Sequence, residues 1–476
     1  MLIRILTFLI IITVFNACSG NAERRQQLES RASELPKRDL TEILESGELH
    51  ALTDFSSSSY FIYKGVPMGF EFELLDRFSE HIGVNLIMHP IENMDDIIRQ
   101  LDEQKGDLIA ANFTVTNHRK KEVLFTKSIL QTRQVLVQRL PEKWWTYNQD
   151  ELESQLIRNP VKLIGKDIHV RRHSSFYTRL INLMDEIGGI VNIKFADGIG
   201  TEKLIEMVSE REIQYTVADE NMAALNKAYF PNIDIKTPLS FQQNVAWACR
   251  INSPQLLDTL NSWLEDFKKT EAFAVIHLKY FKARTQQKAR VLSEYSSLKG
   301  SKISPYDDLI KQEAKRIQWD WKLLAAMIYE ESRFQADAES WSGASGLMQL
   351  IPATAKRFGA DSIQDPVQNI HAGVSFIVTL QDYWLQHIND SLLATPFILA
   401  SYNVGLGHVL DACRLAEKND LDRHAWSNVA TYLELKSQPQ YYNDEVVKHG
   451  YCRGSEPVNY VSDILLLWGH YRNTPI

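Results

Sequence analysis

Two adjacent carboxylates, Glu330 and Glu331, end an apolar stretch with the sequence WKLLAAMIYEESRF. The stretch predicts a helix over 321–332 that is apolar on nearly every face, and such a helix is usually buried. Burial disfavours the charged form of a carboxyl group and raises its pKa, so the group keeps a proton near neutral pH. A general acid that cleaves a glycosidic bond needs such a proton. Both glutamates share a face with apolar residues, so helical periodicity alone does not choose between them.

Two later segments carry groups that suit a sugar ligand. WSGASGLMQLIPATA contains Gly343 and Gly346, which let the backbone approach a bulky ligand, and Pro352 starts another predicted helix. ILASYNVGLGHV places Tyr402 and Asn403 at the end of a further predicted helix. The hydroxyl and amide groups of these two residues can hydrogen-bond to an N-acetyl group.

In chain order, ES at 331–332, GLMQ at 346–349, SYNVG at 401–405 and EPVNYV at 456–461 resemble the four motifs of family 1 lytic transglycosylases, with Ser401 where alanine is usual. The resemblance implies a lysozyme-like fold and cleavage of the MurNAc–GlcNAc β-1,4 bond of peptidoglycan without water, which leaves a 1,6-anhydro sugar. It also implies that Glu331, directly before Ser332, is the catalytic residue. The nucleophile is then the C6 hydroxyl of the substrate, so no second carboxylate is needed to activate water.

The same resemblance implies a set of residues that position the glycan. They are Ser332, Gln349, Tyr402, Asn403, Glu456 and Tyr460. Structural roles are the alternative for three of them, since Ser332 can cap the helix end, Glu456 can form a salt bridge and Tyr460 can lie in the core. We expect no metal ion and no organic cofactor.

Two other functions stay open on the sequence. A lysozyme-type muramidase would hydrolyse the same bond and would need a second carboxylate or a poised water. Asp361 and Asp365 are available for this role, but no pattern assigns them. The other alternative is a non-catalytic periplasmic binding protein, against which the complete set of four motifs argues.

Residues 39–270 alternate between predicted helices and short apolar strands, as in GFEFELLDRFSEHIGVNLIMHPI. This alternation predicts an α/β domain, and a second such unit after 142 predicts two lobes with a cleft between them. The segments GVPMGFEFELLDRFSEHIGV, LDEQKGDLIAANFTVTNHRKKEVLFTKSIL and YTVADE resemble the family 3 solute-binding proteins for amino acids. In that family the arginine of a T-x-T-x-x-R element, here Thr114 to Arg119, binds the ligand carboxylate with two parallel hydrogen bonds.

Further ligand contacts follow from this second resemblance. It implies that Ser174 and Ser175 meet the carboxylate from the second lobe and that Asp219 meets the ligand amino group, with Glu220 as the alternative acid. The expected ligand is a muropeptide or an amino acid. We expect its binding to regulate cleavage of the cell wall.

The N-terminus indicates export. Arg4 precedes an apolar run that has the length of a signal-peptide core and is too short to span a bilayer comfortably. The run ends at FNACSG, where Ala17 before Cys18 resembles a bacterial lipobox, which implies that Cys18 is lipidated. An uncleaved anchor and an ordinary signal cleavage are the alternatives. Ser19 follows the cysteine in place of the aspartate that retains lipoproteins in the inner membrane, which indicates sorting to the periplasmic face of the outer membrane. Outer-membrane lipid is then an expected partner of the protein.

Export also bears on the cysteines and the charge. Cys413 and Cys452 would meet an oxidising periplasm, so a disulfide between them is possible, with two buried thiols as the alternative. The net charge of −8 argues against a nucleic-acid partner.

The predicted organisation is multidomain, with a bilobed α/β periplasmic solute-binding-like domain followed by a mainly α lysozyme-like domain. The predicted parts of the 476-residue chain are a signal peptide with lipobox at 1–18, a tether at 19–38, the solute-binding-like regulatory domain at 39–270, a connector at 271–300 and the lytic transglycosylase domain at 301–476.

Overall fold

A computed structural model of the chain describes residue 33 and residues 35–474. The chain divides into two compact units. The first contains the chain up to Tyr63 and Pro67–Gly300, and the second contains Lys64–Val66 and the chain from Ser301 onward. The predicted signal peptide, Cys18 and most of the predicted tether lie outside the described residues.

The first lobe of the first unit contains a five-stranded mixed sheet. In spatial order its strands are β4 (Asn85–Pro90), β1 (Glu48–Thr53), β5 (Leu108–Ile109), β14 (Ala248–Cys249) and β6 (Leu124–Phe125). β1 pairs in parallel with β4 and β5, whereas β14 runs antiparallel to its neighbours. The helices of this lobe are α1 (Leu40–Ser46), α2 (Phe70–Ile82) and α3 (Ile97–Asp102), and a hairpin is formed by β2 (Phe61–Tyr63) and β3 (Val66–Met68).

Glycines end the first two helices and direct the chain into the sheet. Gly47 follows α1 with φ 69° and Gly83 follows α2 with φ 73°, both in the left-handed region. A glycine takes this conformation at little cost, and it commonly terminates helices. Each helix therefore stops one or two residues before a strand, as the alternating pattern predicts.

The second lobe contains another five-stranded sheet. In spatial order its strands are β10 (Asn192–Phe195), β9 (Asp167–Val170), β11 (Tyr215–Asp219), β8 (Gln134–Arg139) and β12 (Ile233–Pro238). Its helices are α4 (Gln149–Gln155), α5 (Ser175–Ile187), α6 (Thr201–Glu210) and α7 (Glu220–Tyr229). Leu136, Ile168 and Val217 from the sheet pack with Leu180 of α5 in the core of the lobe.

A two-stranded antiparallel sheet, β7 (Leu130–Thr132) with β13 (Gln243–Val245), lies where the chain passes between the two lobes. The unit then closes with three helices, α8 (Pro254–Phe267), α9 (Glu271–Phe281) and α10 (Arg284–Val291). The predicted bilobed α/β architecture is confirmed.

The second unit is mainly helical, as predicted. Its helices are α11 (Asp307–Arg316), α12 (Trp321–Ser332), α13 (Pro352–Arg357), α14 (Pro366–Leu385), α15 (Ser391–Val404), α16 (Leu406–Lys418), α17 (Trp426–Leu435), α18 (Pro439–Tyr442) and α19 (Ser455–Arg472). The sequence pattern does not predict α16, α17 or α18. Among the described residues, every helix is too short or too polar to cross a membrane.

The predicted disulfide is absent from the structure. Cys413 and Cys452 are buried free thiols. Burial raises the pKa of the Cys413 thiol to about 12. The structure thus has the alternative of two buried thiols at Cys413 and Cys452.

Candidate active site

Helix α12 carries Glu330 and Glu331 in its last turn. Asp320 begins the helix by accepting a hydrogen bond from the backbone of Lys322 at 3.0 Å. All residues from Leu323 to Ile328 are buried, as the apolar pattern predicts. Because the helix lies within the core, its C-terminal turn places the two carboxylates at the border between protein interior and surface.

Glu331 lies in an environment that keeps its proton. The Tyr460 hydroxyl, from α19, donates a hydrogen bond to Glu331 Oε1 at 2.5 Å. Burial raises the pKa of Glu331 to about 7, the bond from Tyr460 opposes this rise, and the nearby charge of Glu330 adds to it. A carboxyl group with this pKa can both donate and accept a proton near neutrality.

Glu330 has different partners. Its carboxylate pairs with Arg333 at 3.5 Å, and 23% of its side chain is exposed. Burial raises the pKa of Glu330, and Arg333 opposes that rise. Glu330 is therefore the acid that is paired with a cation, and Glu331 is the acid that is held by a neutral hydroxyl.

Ser332 connects α12 to the glycine-rich segment. Its buried hydroxyl donates to the Leu347 carbonyl at 2.9 Å and to the Ile328 carbonyl at 3.2 Å. The serine thus fixes the segment that carries Gln349 beside the end of α12.

Gly346 allows a tight turn in that segment. Its φ is 81°, and a Cβ at this position would lie 2.3 Å from Asn369 Nδ2 and 2.5 Å from the Ile363 carbonyl. Asn369, on α14, donates to the Ser345 and Ile363 carbonyls and accepts from Met348 N at 2.8 Å. The sequence analysis did not identify Asn369, which lies within an apolar helix pattern.

The side chains of Gln349 and Met348 lie in different surroundings. Gln349 has φ 45°, and its side-chain amide donates to the carbonyls of Ala338 and Gly346 at 3.1 and 2.9 Å. Met348 is fully buried, and its carbonyl accepts a hydrogen bond from the Tyr402 hydroxyl at 2.8 Å. The side chain of Gln349 therefore stabilises its own loop by hydrogen bonds, and the side chain of Met348 belongs to the core.

Tyr402 lies near the glutamate. Burial raises the pKa of Tyr402 well above its usual range, and the charge of Glu331 adds to this rise. Asn403 is exposed at the end of α15. Ser401, where the resembling family has alanine, is buried and accepts a hydrogen bond from the Trp384 indole at 2.9 Å. The hydroxyl of Ser401 thus has a structural partner.

The two predicted site residues of the EPVNYV motif at 456–461 lie in different places. Tyr460 contacts Glu331, whereas Glu456 pairs with Arg453 at 2.9 Å on the exposed first turn of α19. Asp365, considered as a second acid, caps α14 by accepting from the Gln368 backbone at 2.8 Å. The structure therefore brings together Glu331, Tyr402 and Tyr460.

A second polar site lies in the first unit, in a cavity of about 350 Å³. Asp219, Asn112 and Arg171 are among the lining residues. Asn112 donates to Asp219 Oδ2 at 3.1 Å. Burial raises the pKa of Asp219 to about 7, and the charges of Arg119 and Arg171 oppose this rise.

The alternative acid, Glu220, is engaged elsewhere. Arg133 binds the Glu220 carboxylate with two hydrogen bonds, of 2.9 and 2.7 Å. Asp219 is thus the acid of this pair that faces the cavity.

The other predicted ligand contacts are placed differently. Arg119 stacks on Phe113 at 3.8 Å and donates to the Thr114 carbonyl at 2.9 Å. Burial, together with the nearby charge of Arg171, lowers the pKa of Arg119 to about 10.

The two serines of the second lobe hold its structure together. Ser174 caps α5 through the Tyr177 backbone, and Ser175 accepts from the Gln134 side chain at 3.1 Å. Arg171, three residues before Ser174 in the same RRHSSF segment, lines the cavity, and the sequence analysis missed it.

Comparison with known proteins agrees with this two-unit description. Residues 308–424 match the family model of the Transglycosylase SLT domain, and residues 49–283 match that of Bacterial extracellular solute-binding proteins, family 3. A membrane-bound lytic murein transglycosylase F of Desulfosudis oleivorans is 33% identical over 428 residues, which cover 90% of each chain. One of Pseudomonas fluorescens Pf-5 is 32% identical over 427 residues, covering 89% of this chain and 85% of the relative.

A mainly helical SLT domain preceded by a family 3 solute-binding-protein module defines a lytic transglycosylase with an accessory solute-binding-like domain. The chain belongs to the family of membrane-bound lytic murein transglycosylase F. It is therefore an enzyme that acts as a lyase on peptidoglycan.

Proposed function

We propose that Glu331 alone serves as acid and then as base in a non-hydrolytic cleavage of the MurNAc–GlcNAc bond. The observation that carries the proposal is the position of Glu331 at a helix end, where desolvation raises its pKa to about 7 and the hydrogen bond from Tyr460 opposes that rise. The protonated form of this group is populated at neutral pH, and so is the ionised form that the second step requires.

The first step breaks the bond between C1 of MurNAc and the glycosidic oxygen. Glu331 transfers its proton to that oxygen, and the GlcNAc portion leaves as an alcohol. The N-acetyl oxygen of the substrate stabilises the positive charge at C1, in place of a second carboxylate. In the second step the C6 hydroxyl oxygen bonds to C1 and its proton passes to Glu331, which restores the acid. The product is a 1,6-anhydroMurNAc end.

The neighbouring residues hold the reacting groups. Tyr402 and Tyr460 lie beside Glu331, and Asn403 is exposed at the end of the same helix as Tyr402. Ser332 and Gln349 act by fixing the glycine-rich segment through carbonyl contacts. Glu456 pairs with Arg453 at the surface and does not contact the acid directly.

Mass spectrometry of the products from purified cell wall tests the reaction. Anhydro ends are expected, and reducing ends would instead indicate the lysozyme-type muramidase. Glu331→Gln should abolish product, while the matched variant Glu330→Gln should retain most of the activity. Full activity of Glu331→Gln would refute the assignment, and wild-type protein without any product would favour the non-catalytic binding protein.

We also propose that the first unit binds an amino acid or a muropeptide and regulates cleavage. Asp219 and Arg171 line the cavity of that unit and offer both signs of charge, as a zwitterionic ligand requires, and the charge of Arg119 also acts on Asp219. A ligand changes activity only if it binds the active and inactive states with different affinity. Wall digestion that is unchanged at a saturating ligand concentration would refute the regulation, and calorimetry would show whether binding persists.

We further propose attachment to the outer membrane through a lipid on Cys18, facing the periplasm. The lipobox resemblance at Ala17–Cys18 supports this, and the similar proteins of other bacteria are named as membrane-bound. Several acyl chains on one N-terminus anchor a protein firmly, whereas one chain does so only weakly. Mass spectrometry of the mature N-terminus should find a modified Cys18, and an unmodified cysteine there would refute the lipid anchor.

A further inference from the structure

Trp341, in the WSGASG part of the glycine-rich segment of the second unit, is 99% exposed. Tryptophan is mostly buried in folded proteins, because its indole has a large apolar surface. Single exposed apolar residues are nevertheless common. The surroundings of Trp341 therefore decide whether its exposure has a function.

The backbone on both sides of Trp341 is held by hydrogen bonds. Ser340 N donates to the Ala344 carbonyl at 2.8 Å, and Gly343 N donates to the Ser340 carbonyl at 3.0 Å. The Ser340 hydroxyl also accepts from Ala344 N at 3.0 Å. Trp341 thus lies at the tip of a tight turn with a fixed backbone. Only the two χ angles of its side chain are left to order when a ligand binds, which costs little conformational entropy.

This turn is joined to the end of α12, which carries the proposed acid. Ser345 forms β-bridges with residues on both sides of it in the chain, so residues 339–350 fold into one compact segment. The Leu347 carbonyl in this segment accepts from Ser332, the residue after Glu331, at 2.9 Å. Six residues of chain span at most about 22 Å, so Trp341 lies within that distance of Leu347. A glycan strand bound at Glu331 therefore needs to extend by only a few sugar rings to reach Trp341.

Ile351 adds a second exposed apolar side chain near the turn. It directly follows the bridged residue Leu350 and is 48% exposed. The antiparallel register of the two bridges places Ile351 opposite Ala344, and Ala344 opposite Ser340, with about 5 Å between neighbouring strands. Ile351 thus lies two strand spacings from Ser340, the neighbour of Trp341, and enlarges the apolar surface at the turn.

The charge of this part of the chain selects among ligands. Residues 335–355 contain two acidic side chains, the exposed Asp337 and Glu339, and neither lysine nor arginine. Anionic lipid surfaces attract basic segments, and acidic side chains repel the carboxylates of a peptide stem. A GlcNAc ring is neutral, and its C–H groups can lie against the electron-rich face of an indole. The hydroxyls of Ser340 and Ser342, which lie 2.9 Å apart, can hydrogen-bond to the hydroxyl groups of a sugar.

We propose that Trp341 is a stacking platform for a GlcNAc ring of the glycan strand, at a distance from the bond that is cut. The indole covers the C–H face of the ring, Ile351 extends the contact, and the acidic side chains nearby keep peptide stems away. This contact makes the enzyme bind long glycan strands more tightly than short ones. The inference rests on the proposed function, which places cleavage at Glu331, and it adds a substrate-binding residue outside the four motifs.

Calorimetry on the full chain with chito-oligosaccharides tests the platform, because these GlcNAc polymers have neither peptide nor lactyl groups. We expect chitohexaose to bind at least tenfold more tightly than chitotriose, and Trp341→Ala to reduce this ratio to less than threefold. Trp341→Phe keeps an aromatic face and should retain a ratio above threefold. Phe241→Ala is the matched control, since Phe241 is 94% exposed in the first unit, and it should leave the ratio unchanged.

Two results of this titration would overturn the platform. One is an equal ratio in the wild type and in Trp341→Ala, and the other is wild-type protein that does not bind chitohexaose. Either result leaves the proposed reaction standing if purified wall still yields anhydro ends. Reducing ends from purified wall, together with a length preference that depends on Trp341, would refute the non-hydrolytic reaction and leave the platform in place.

Oxidation of tryptophan by N-bromosuccinimide, read by peptide mass spectrometry, locates the contact in the unaltered protein. Saturating chitohexaose should slow the oxidation of Trp341 at least fivefold and leave that of Trp145, which is 70% exposed in the first unit, unchanged. Equal rates for Trp341 with and without the sugar, or equal protection of both tryptophans, would overturn the platform. Protection of Trp341 by phosphatidylethanolamine–phosphatidylglycerol vesicles and not by chitohexaose would overturn it in favour of a membrane contact.

Discussion

Replacing Tyr460 by phenylalanine isolates the effect of one hydroxyl on the proposed acid. The hydroxyl donates to Glu331 Oε1 at 2.5 Å and favours the ionised carboxylate, so it lowers the pKa that burial has raised. A hydrogen bond to a charged group contributes about 1.5–3 kcal/mol, and one pKa unit corresponds to about 1.4 kcal/mol. Part of the bond persists when Glu331 is protonated, so Tyr460→Phe should raise the pKa of Glu331 by about one unit.

The assay is the pH dependence of kcat/KM for solubilised glycan strands, which reports the ionisation of the free enzyme. In the proposed reaction protonated Glu331 starts the cleavage, so activity should fall as pH rises through its pKa. This alkaline limb should move up by about one pH unit in Tyr460→Phe. Tyr402→Phe is the matched control, because that hydroxyl donates to the Met348 carbonyl and not to the acid. An alkaline limb that stays in place in Tyr460→Phe, or moves to lower pH, would refute the reasoning.

Three further predictions concern stability. Glu331→Gln should stabilise the protein at pH 8 and not at pH 4. Because the raised pKa makes the native state bind the proton more tightly, wild-type stability falls by at most about 3.4 kcal/mol as pH rises from 4.5 to about 7. Thermal unfolding of both proteins at the two pH values measures this difference. Gly346→Ala should cost more than about 2 kcal/mol in urea unfolding, because it combines a positive φ with a Cβ 2.3 Å from Asn369, while Gly343→Ala, with φ 80° and open space, should cost only about 1–2 kcal/mol. Ser401→Ala should cost about 1–3 kcal/mol because the buried Trp384 indole loses its acceptor, and an unchanged urea midpoint would contradict that role.

The sequence predicts elements well where the pattern is local. The buried helix 321–332 has the predicted bounds, because an uninterrupted apolar run with Asp320 as its cap leaves few alternatives. The α/β alternation of the first unit is equally local, since glycines mark the helix ends. Helix α16 escaped prediction because Gly405 and Gly407 interrupt its start, although Leu406, Val409, Cys413 and Ala416 follow a helical spacing.

The contacts that shape the sites are less predictable, because they join distant parts of the chain. Tyr460 lies 129 residues after Glu331, and Asn369 lies 21 residues after the backbone amide it accepts from. Asn369 is a polar residue within an apolar helix pattern, and the pattern does not indicate which loop its side chain will hydrogen-bond to. Arg171 was overlooked for a different reason, since the family resemblance selected only Ser174 and Ser175 from the RRHSSF segment that contains it.

The separation of the two glutamates shows how the fold decides what periodicity leaves open. Both stand at the end of one helix, and burial raises the pKa of each. Arg333 pairs with Glu330 and opposes the rise of its pKa. Tyr460 is itself buried beside Glu331, and burial and the charge of Glu331 both raise the pKa of Tyr460 well above its usual range, so it stays protonated and can donate to the acid. A neutral donor of this kind can bond to Glu331 before and after proton transfer, and this is the condition under which one carboxyl group can give up a proton and take one back.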